Sequence, residues 1–234
     1  DEAPPRRRGE RVEGVGHHVV ELAPGLGSTT ELVLGCNPAT YVGVDRDPVS
    51  AERVAHVVNG PGRSVVNASA ADTGLPDASA DVVFGEAYLT MQPASQKARI
   101  MAELARVVRP GGRIGLHEVS FAPDDLDDER CDAIAADLRR TIKVNVTPLS
   151  LRGWTNLLDE AGFDVAGTVT APLHLLEPRR LIADEGVLGA ARFVGRVARN
   201  PDARARVLAM RAAMHDNAAH RQACGVTAAR RSAA

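Results

Sequence analysis

The stretch VVELAPGLG at residues 19–27 is an apolar run that ends in an acid and enters a turn with two glycines. A second apolar run, YVGVD at residues 41–45, also ends in an acid. In an α/β protein, ligands bind beyond the carboxyl ends of the strands, where glycine lets the backbone approach without a Cβ in the way. A carboxylate there can accept two hydrogen bonds from ribose hydroxyls. The two stretches therefore predict neighbouring strands with a nucleotide-like ligand across their ends.

The composition bounds the class of protein. A chain of 234 residues with 44% hydrophobic content can bury a core without disulfide or metal crosslinks. Cys36, Cys131 and Cys224 are far apart and form no CxxC pair, so we expect reduced thiols in a cytoplasmic protein. No apolar run approaches the ~20 residues of a membrane span, and no signal-peptide segment precedes the first strand. Stable membrane insertion is therefore not expected.

Charge and aromatic content argue against nucleic acid as a partner. The formal net charge of −2 lacks the basic excess that phosphate binding requires. Aromatic residues make up only 3% of the chain, too few for a base-stacking platform. The three arginines at residues 6–8 lie in a charged segment rich in Pro and Gly, residues 1–16, which we expect to be a mobile lead-in.

Apolar runs alternate with amphipathic segments through the first two thirds of the chain. Strands are predicted at residues 17–22, 40–45, 64–68, 81–85, 113–121 and 163–170, and helices at 28–35, 48–59, about 100–108, 124–140 and 154–161. This alternation, with short joins, predicts a parallel sheet with right-handed crossovers and helices on both faces. Further on, residues 175–215 predict two Arg-rich amphipathic helices separated by Asn200-Pro201, and a weak last strand follows from Ala223.

The glycine turn has two other interpretations. One is an ordinary tight strand-to-helix turn without a ligand. The other is a nicotinamide dinucleotide site, whose G-x-G-x-x-G/A pattern needs a third small residue. That third position is Thr30, which fits the dinucleotide pattern poorly. The acid four residues before Gly25, and Asp45 at the end of the next run, favour a ligand site over a plain turn.

Further segments follow in the order of a known family. They are ELAPGLG at 21–27, VGVD at 42–45, DTGLP at 72–76 with ADVV at 80–83, ELARVVRPGGR at 103–113, and WTNLLDEAGF at 154–163. On these segments, over about residues 17–170, the chain resembles the class I S-adenosylmethionine-dependent methyltransferases of the small-molecule type. It departs from them at residues 23–24, Ala-Pro, where the family often has another glycine or a cysteine.

The resemblance implies a Rossmann-like, doubly wound α/β sheet, mostly parallel with an antiparallel last strand, in a single domain of residues 17–234. It implies S-adenosylmethionine as cofactor, S-adenosylhomocysteine as product and no metal. Glu21 would position the methionyl amino group, and the backbone of Ala23, Gly25 and Gly27 would lie against the methionyl and ribose portions. Asp45 would then bind the ribose hydroxyls.

Three further positions carry cofactor roles by the same resemblance. Arg46 would flank the adenine. The adenine amino group is less well matched, because the family's Asp falls at Ala71, so either Asp72 or the Ala71 backbone would make that contact. Glu86, just past the fourth strand, would lie near the sulfonium, although an exposed structural Glu is the other interpretation.

The implied chemistry is in-line methyl transfer, in which the protein mainly aligns donor and acceptor. A general base is needed only for a protonated acceptor. His117 and Glu118, at the end of the fifth strand, are the candidate catalytic residues, and a structural histidine explains His117 equally well. Tyr88, Met91 and His174 are candidate substrate-binding residues.

The expected acceptor is a small or lipid-like molecule. The segment GEAY at 85–88 lacks the Asn/Asp-Pro-Pro-Tyr pattern of base-modifying enzymes. Residues 175–215 would form a helical lid over the crevice, with possible dimerisation of the chain left open. The apolar residues of this lid could line an acceptor pocket, but ordinary helix packing explains them too; they are Val187, Leu188, Phe193, Val194 and Val197.

Two other functions remain open at this stage. A binding module would keep the cofactor and catalyse nothing, and an NAD(P)-dependent oxidoreductase would bind a different cofactor in the same crevice. The lid arginines could attract an anionic substrate or a membrane surface, with a solvated helix face as the alternative; they are Arg192, Arg196, Arg199, Arg204, Arg206 and Arg211.

Overall fold

The fold was analysed in a computed structural model, which describes residues 16–142, 144–173, 195, 197, 199–216 and 218–232. The expected lead-in lies outside these ranges except for Gly16. Most of the expected lid lies outside them as well, including Val187, Leu188, Phe193 and Val194. The lid and the single-domain boundary therefore stay predictions.

Eight strands and six helices make up the described fold. The strands are β1 His18–Leu22, β2 Thr40–Asp45, β3 Arg63–Asn67, β4 Ala80–Glu86, β5 Val108–Phe121, β6 Leu149–Ser150, β7 Phe163–Pro172 and β8 Arg221–Arg230. The helices are α1 Ser28–Gly35, α2 Pro48–Val57, α3 Ala94–Val107, α4 Asp128–Ile142, α5 Leu151–Glu160 and α6 Pro201–Asp216. Short 3₁₀ turns lie at Leu89–Met91 and Ala218–His220.

One mixed sheet contains all the described strands. Its order is β3-β2-β1-β4-β5-β8-β7, and β6 pairs with the end of β5. The pairs from β3 to β5 are parallel, whereas β8 runs antiparallel to both β5 and β7. The predicted doubly wound sheet with an antiparallel last strand is confirmed.

Several predicted boundaries differ from the structure. The acidic segment 124–127 precedes α4 instead of opening it, and α2 ends at Val57, three residues before Gly60. The largest differences are in α3, which begins at Ala94, about six residues before its predicted start, and in β5, which begins at Val108, five residues before its predicted start. The Ala-rich sequence predicts β8 only weakly, but it is a full strand of ten residues. The strand lies between β5 and β7, and its residues alternate in burial because successive side chains point to opposite faces: Cys224, Val226 and Ala228 face the main core.

The main core lies on one face of the sheet. There α3 contributes Ile100, Met101 and Leu104, and α5 contributes Trp154 and Leu158, all fully buried. The amphipathic spacing of these residues is the reason that both helices pack here. They cover the inward residues of β1, β4, β5 and β8, which include Val20, Leu22, Val83, Ile114, Leu116 and Val226.

The opposite face is divided between helices and a cavity. Leu34 of α1 and Val54 of α2 pack against Tyr41 of β2 in a smaller cluster. Beyond α1, a cavity of about 460 Å³ lies along β4, β5, β8 and β7. The strand order reverses between β1 and β4, so the connections diverge there and leave a crevice at the carboxyl edge. The fold thus places any ligand site at the ends of β1, β2 and β4.

Candidate active site

The carboxylate of Glu21 is held at the end of β1 by two hydroxyl groups. Tyr41 Oη donates to Glu21 Oε2 at 2.5 Å, and Thr30 Oγ1 donates to the same oxygen at 2.8 Å. Glu21 is only 3% exposed. Burial raises the pKa of Glu21 and outweighs the two hydrogen bonds, which favour the charged form. The site therefore contains a buried acid with a fixed orientation.

The glycine turn joins Glu21 to α1 through left-handed backbone. Gly25 has φ 58° and Gly27 has φ 85°, values that glycine adopts without a Cβ clash. The turn closes through a hydrogen bond from Gly27 N to Pro24 O at 2.9 Å, and Ala23 N donates to Val44 O at 2.8 Å. The turn consequently exposes backbone, and not side chains, toward the crevice.

Asp45 lies at the end of β2, opposite the glycine turn. Its side chain is 8% exposed, and Oδ1 accepts a hydrogen bond from Asp47 N at 3.0 Å. Asn67 Nδ2 donates to the carbonyls of Asp45 and Arg46, at 2.9 and 3.1 Å. These bonds fix the backbone that carries Asp45, while the Arg46 side chain is exposed beside it.

The segment after β3 is anchored to α3. Thr73 donates to Glu103 Oε1 through its amide at 2.8 Å and through its hydroxyl at 2.6 Å. Arg106 donates to both oxygens of Glu103, and together these hydrogen bonds lower the pKa of Glu103 to about 2. Ala71 is half-buried and Asp72 exposed at the start of this segment. The network holds both near the carboxyl edge.

A polar group lies where β4 ends beside β5. Glu86 Oε2 accepts a hydrogen bond from Thr29 Oγ1 at 3.0 Å, and Glu86 Oε1 lies 3.3 Å from His117 Nδ1. Both Glu86 and His117 are about half exposed, at 50% and 56% of their side chains. They stand at one end of the cavity, whose walls include Phe84, Gly115, Val169 and Thr227. An acid and an imidazole therefore meet at the mouth of a mainly apolar space.

Comparison with known proteins decides the family. Residues 20–116 match the family model described as "Methyltransferase domain". An uncharacterized protein of Haemophilus influenzae is 31% identical over 183 residues, which are 75% of this chain and 70% of that protein. The chain belongs to the class I S-adenosylmethionine-dependent methyltransferases. It is a methyltransferase whose cofactor is S-adenosylmethionine.

Known structures share the fold of this methyltransferase. The cyclopropane synthase MmaA2 of Mycobacterium tuberculosis has a TM-score of 0.72 at 14% identity, over 92% of this chain and 79% of that chain. The [4+2]-cyclase SpnF has a TM-score of 0.70 at 16% identity, over 95% and 77% of the two chains. Geranyl diphosphate methyltransferase, in complex with the same cofactor, has a TM-score of 0.66 at 13% identity, over 94% and 81%. At these identities the likeness establishes the fold alone.

The crevice of the methyltransferase fits its cofactor. Buried Glu21 and Asp45 offer acceptors to an ammonium group and to ribose hydroxyls, and the backbone of the glycine turn lies between them. Glu86 adds a further carboxylate beside the crevice, at the end of β4. Among the described residues, no group of three or more His, Cys, Asp or Glu side chains could hold a metal ion.

Glu118, the second candidate base, lies away from the crevice surface. It is 3% exposed and accepts hydrogen bonds from the amides of Leu89 and Thr90, at 2.8 and 2.9 Å, and from Thr90 Oγ1 at 2.6 Å. Its side chain points to the α3 and α5 face because it follows His117 by one residue along a strand. The expected catalytic role of Glu118 does not fit this placement. The residue instead fixes the turn that follows β4.

The structure describes two of the three candidate substrate-binding residues. Tyr88 is half-buried, and its hydroxyl accepts a hydrogen bond from the Ala70 backbone. The charges of Asp45 and Arg46 act on the same hydroxyl, so Tyr88 lies on the side of the crevice where β2 ends. Met91 is 41% exposed at the end of the 3₁₀ turn. His174 lies outside the described residues.

Tyr41 and Thr30 contact Glu21, although the sequence motifs do not single out either residue for this role. Both contact Glu21 from other elements, Tyr41 from β2 and Thr30 from α1. Only the strand register, which pairs Glu21 with Gly43, brings the Tyr41 hydroxyl within reach. A tyrosine two residues before a glycine in a strand is the one sequence signal for this contact.

Two of the lid arginines have described side chains, Arg199 and Arg204, and both are exposed.

Proposed function

We propose that the enzyme transfers the methyl group of S-adenosylmethionine to a small-molecule or lipid-like acceptor by in-line displacement. The observation that carries this proposal is the meeting of two buried acids and a His–Glu pair at one edge of the sheet. Glu21 and Asp45 lie at the ends of β1 and β2, and Glu86, at the end of the neighbouring strand β4, pairs with His117 of β5.

The cofactor would lie across the carboxyl ends of β1, β2 and β4. Glu21 would accept the methionyl ammonium, and Ala23, Gly25 and Gly27 would present backbone to the methionyl and ribose portions. Asp45 would accept from the ribose hydroxyls, which its fixed and nearly buried carboxylate supports. Such charge-assisted hydrogen bonds are stronger than neutral ones.

The adenine would lie between the ends of β2 and β3. Arg46 would flank it, and Ala71 or Asp72 would contact its amino group. The adenine amino group needs an acceptor, and no hydrogen bond from a described residue reaches the Asp72 carboxylate. This favours Asp72 as the acceptor for the adenine amino group.

His117 would act as general base when the acceptor carries a proton. A hydrogen bond from Nδ1–H to Glu86 selects the tautomer whose Nε2 accepts a proton. S-Adenosylmethionine would supply the methyl group: the acceptor lone pair would form the bond to the methyl carbon as the carbon–sulfur bond breaks, and that electron pair would stay on sulfur in S-adenosylhomocysteine. The acceptor proton passes to His117 Nε2. Glu86 stabilises the imidazolium that results.

The mainly apolar cavity beside His117 supports an acceptor with an apolar part. Its volume of about 460 Å³ lies within the range of small-molecule sites. Two proteins of the same fold are named for geranyl diphosphate methylation and for cyclopropane synthesis. None of the helices in the described ranges is long and apolar enough to span a bilayer. We propose a cytoplasmic enzyme that acts on a diffusible acceptor.

Methyl transfer from radiolabelled S-adenosylmethionine to a panel of small and lipid-like acceptors tests this function. We expect label in at least one acceptor, together with stoichiometric S-adenosylhomocysteine. Cofactor binding without transfer to any acceptor in the panel would favour a catalytically silent module. Transfer to nucleic acid alone would contradict the proposed acceptor class.

A further inference from the structure

Glu21, Tyr41 and Thr30 form a closed group of polar side chains under the glycine turn. Tyr41 and Thr30 are fully buried, and Glu21 is 3% exposed. The two hydroxyls also lie 3.1 Å apart, so each of the three side chains contacts the other two. Buried hydroxyls without a partner are costly, and this group satisfies all three side chains. The group is therefore rigid as well as buried.

Both hydrogen bonds to Glu21 fall on one oxygen. Tyr41 and Thr30 donate to Oε2, and no described residue donates to Oε1. A carboxylate with two donors on one oxygen cannot rotate about its terminal torsion without losing both. Oε1 is thus kept for a donor that arrives from outside the group.

Gly43 makes room for this arrangement. A Cβ built on Gly43 would lie 3.2 Å from Tyr41 Oη and 3.4 Å from Pro24 Cγ. Any larger residue there would press on the hydroxyl and on the glycine turn together. The Tyr41 side chain can therefore extend along β2 and reach across to β1 only because residue 43 has no side chain.

The electrostatics of Glu21 depend on the same two donors. Burial raises the pKa of Glu21, and the nearby charge of Glu86 raises it further. Tyr41 and Thr30 act in the opposite direction, because they hydrogen-bond to the charged form. Removing either donor would bring the carboxylate closer to neutrality.

We propose that Tyr41 and Thr30 are positioning residues, which hold Glu21 in the orientation that receives the ammonium group of the cofactor's methionine. The proposal rests on the proposed function, in which Glu21 binds that group. Neither residue touches the cofactor in this account. Their effect is confined to the amino-acid end of the ligand and leaves the adenosine end unchanged.

Two ligands that differ at one end test the proposal by calorimetric titration. S-Adenosylhomocysteine carries the amino acid, whereas 5′-deoxy-5′-methylthioadenosine has the same adenosine and thioether but no amino acid. For Tyr41→Phe and for Thr30→Val we expect the affinity for S-adenosylhomocysteine to fall about ten- to 150-fold, as for loss of one hydrogen bond to a charged group. The affinity for methylthioadenosine should change less than two-fold. Thr30→Ser keeps the hydroxyl and should restore most of the loss.

The pH dependence gives a readout that a merely structural role would not move. Tyr41 and Glu86 are the titratable groups that act on Glu21. In Thr30→Val the pKa of Glu21 rises. As the pH is lowered, the affinity of this variant for S-adenosylhomocysteine should therefore begin to fall at a higher pH than that of the wild type. Methylthioadenosine binding should show no such displacement.

Equal losses for both ligands, or no loss for either, would overturn the positioning role. If Tyr41→Phe fails to fold, the Thr30→Val and Thr30→Ser pair decides the question alone. If the wild type binds methylthioadenosine as tightly as S-adenosylhomocysteine, Glu21 does not recognise the ammonium and the inference fails. If the wild type binds neither ligand, the proposed function itself fails and the inference falls with it.

Discussion

Three buried carboxylates have different hydrogen-bond partners, and these partners suit them to different roles. Asp45 and Glu21 lie at strand ends and direct acceptor oxygens toward the crevice, and Glu118 lies on the helix-covered face. Both oxygens of Glu118 accept hydrogen bonds from the turn after β4, whereas among the described residues the Asp47 amide is the one donor to the Asp45 side chain. Asp45 therefore keeps acceptor capacity for a ligand, whereas Glu118 does not.

Replacement of Asp45 tests the ribose site. We expect Asp45→Ala to weaken binding of S-adenosylhomocysteine by about 1–3 kcal/mol, because charge-assisted hydrogen bonds to the ribose are lost. Calorimetry measures the difference. Glu52→Ala, which removes an exposed acid from α2, serves as control and should bind normally. Unchanged affinity in Asp45→Ala would mean that the ribose lies elsewhere.

Replacement of His117 tests the general base. His117→Ala should lose about 10²–10⁴-fold in turnover with a protonated acceptor, the usual contribution of a positioned base. Cofactor affinity should be retained, because His117 lies beyond the proposed methionine site. His56→Ala, on the exposed side of α2, is the matched control. Equal turnover in His117→Ala and wild type would remove the base assignment.

Part of this site could be predicted at the level of single residues. Glu21, Gly25 and Asp45 follow from motifs in which sequence neighbours determine position. Tyr41 and Thr30 could not be predicted, because their contact with Glu21 depends on register and helix placement. Glu118 was placed wrongly for a similar reason: adjacent residues in a strand point to opposite faces, so His117 and Glu118 cannot both face the crevice.

At the scale of elements, loops near the site are held by the helices behind them. Lys97 of α3 is 2% exposed and donates to Gln92 O at 2.6 Å and to Thr147 O at 2.7 Å. Burial lowers the pKa of Lys97 to about 8. Glu118 fixes the same turn from β5. The turn after β4 is thus held from two sides.

The contact of α3 with the segment after β3 predicts a pH-dependent stability. Glu103→Gln should lower the free energy of unfolding by about 1–3 kcal/mol at neutral pH, because it loses charge-assisted bonds. The folded pKa of Glu103 is lowered from 4.5 to about 2, so its contribution is present above pH 4.5 and is lost as pH falls toward 2. Urea unfolding at pH 7 and pH 3 measures this.

The control for that experiment is Asp77→Asn, which removes an ion pair of Arg106 whose Asp side chain is 80% exposed. Such exposed pairs contribute about 0–1 kcal/mol, so little change is expected. A difference between Glu103→Gln and wild type that stays constant down to pH 3 would contradict the assignment.

Close packing at the start of β5 accounts for the glycine at position 112, the second of the two glycines after Pro110. A Cβ on Gly112 would lie 2.7 Å from Val108 Cγ1 and 3.0 Å from the Asp81 carbonyl. Gly112→Ala should therefore cost about 1–3 kcal/mol of stability by thermal unfolding, the range for overpacking. Gly115→Ala, three residues along the strand, meets only Phe84 Cβ at 3.7 Å and should be nearly neutral. Equal melting temperatures of the two variants would contradict this packing.

Sequence periodicity served some elements better than others. Amphipathic spacing predicts α3 and α5, because the buried faces of both helices are rich in large apolar residues. It gave β8 only weakly, because that strand fills its inner positions with Cys224 and small alanines beside Val226. A strand of small residues can lie inside the sheet when its neighbours supply the hydrogen bonds and the cover.

At the scale of the whole molecule, the main core and the candidate active site lie at different parts of the sheet. One face carries the main core under α3 and α5, and the carboxyl edge carries the acids, the glycine turn and the His–Glu pair. The cavity on the other face begins at this pair. The family and the cofactor could be predicted from ordered motifs, whereas the acceptor could not, since it depends on shape around the cavity.

A crystal structure with S-adenosylhomocysteine tests the central claim most directly. We expect the ribose hydroxyls within about 3 Å of the Asp45 carboxylate, the amino group beside Glu21 Oε1 and the sulfur next to Glu86. S-Adenosylhomocysteine bound away from the ends of β1, β2 and β4 would contradict it.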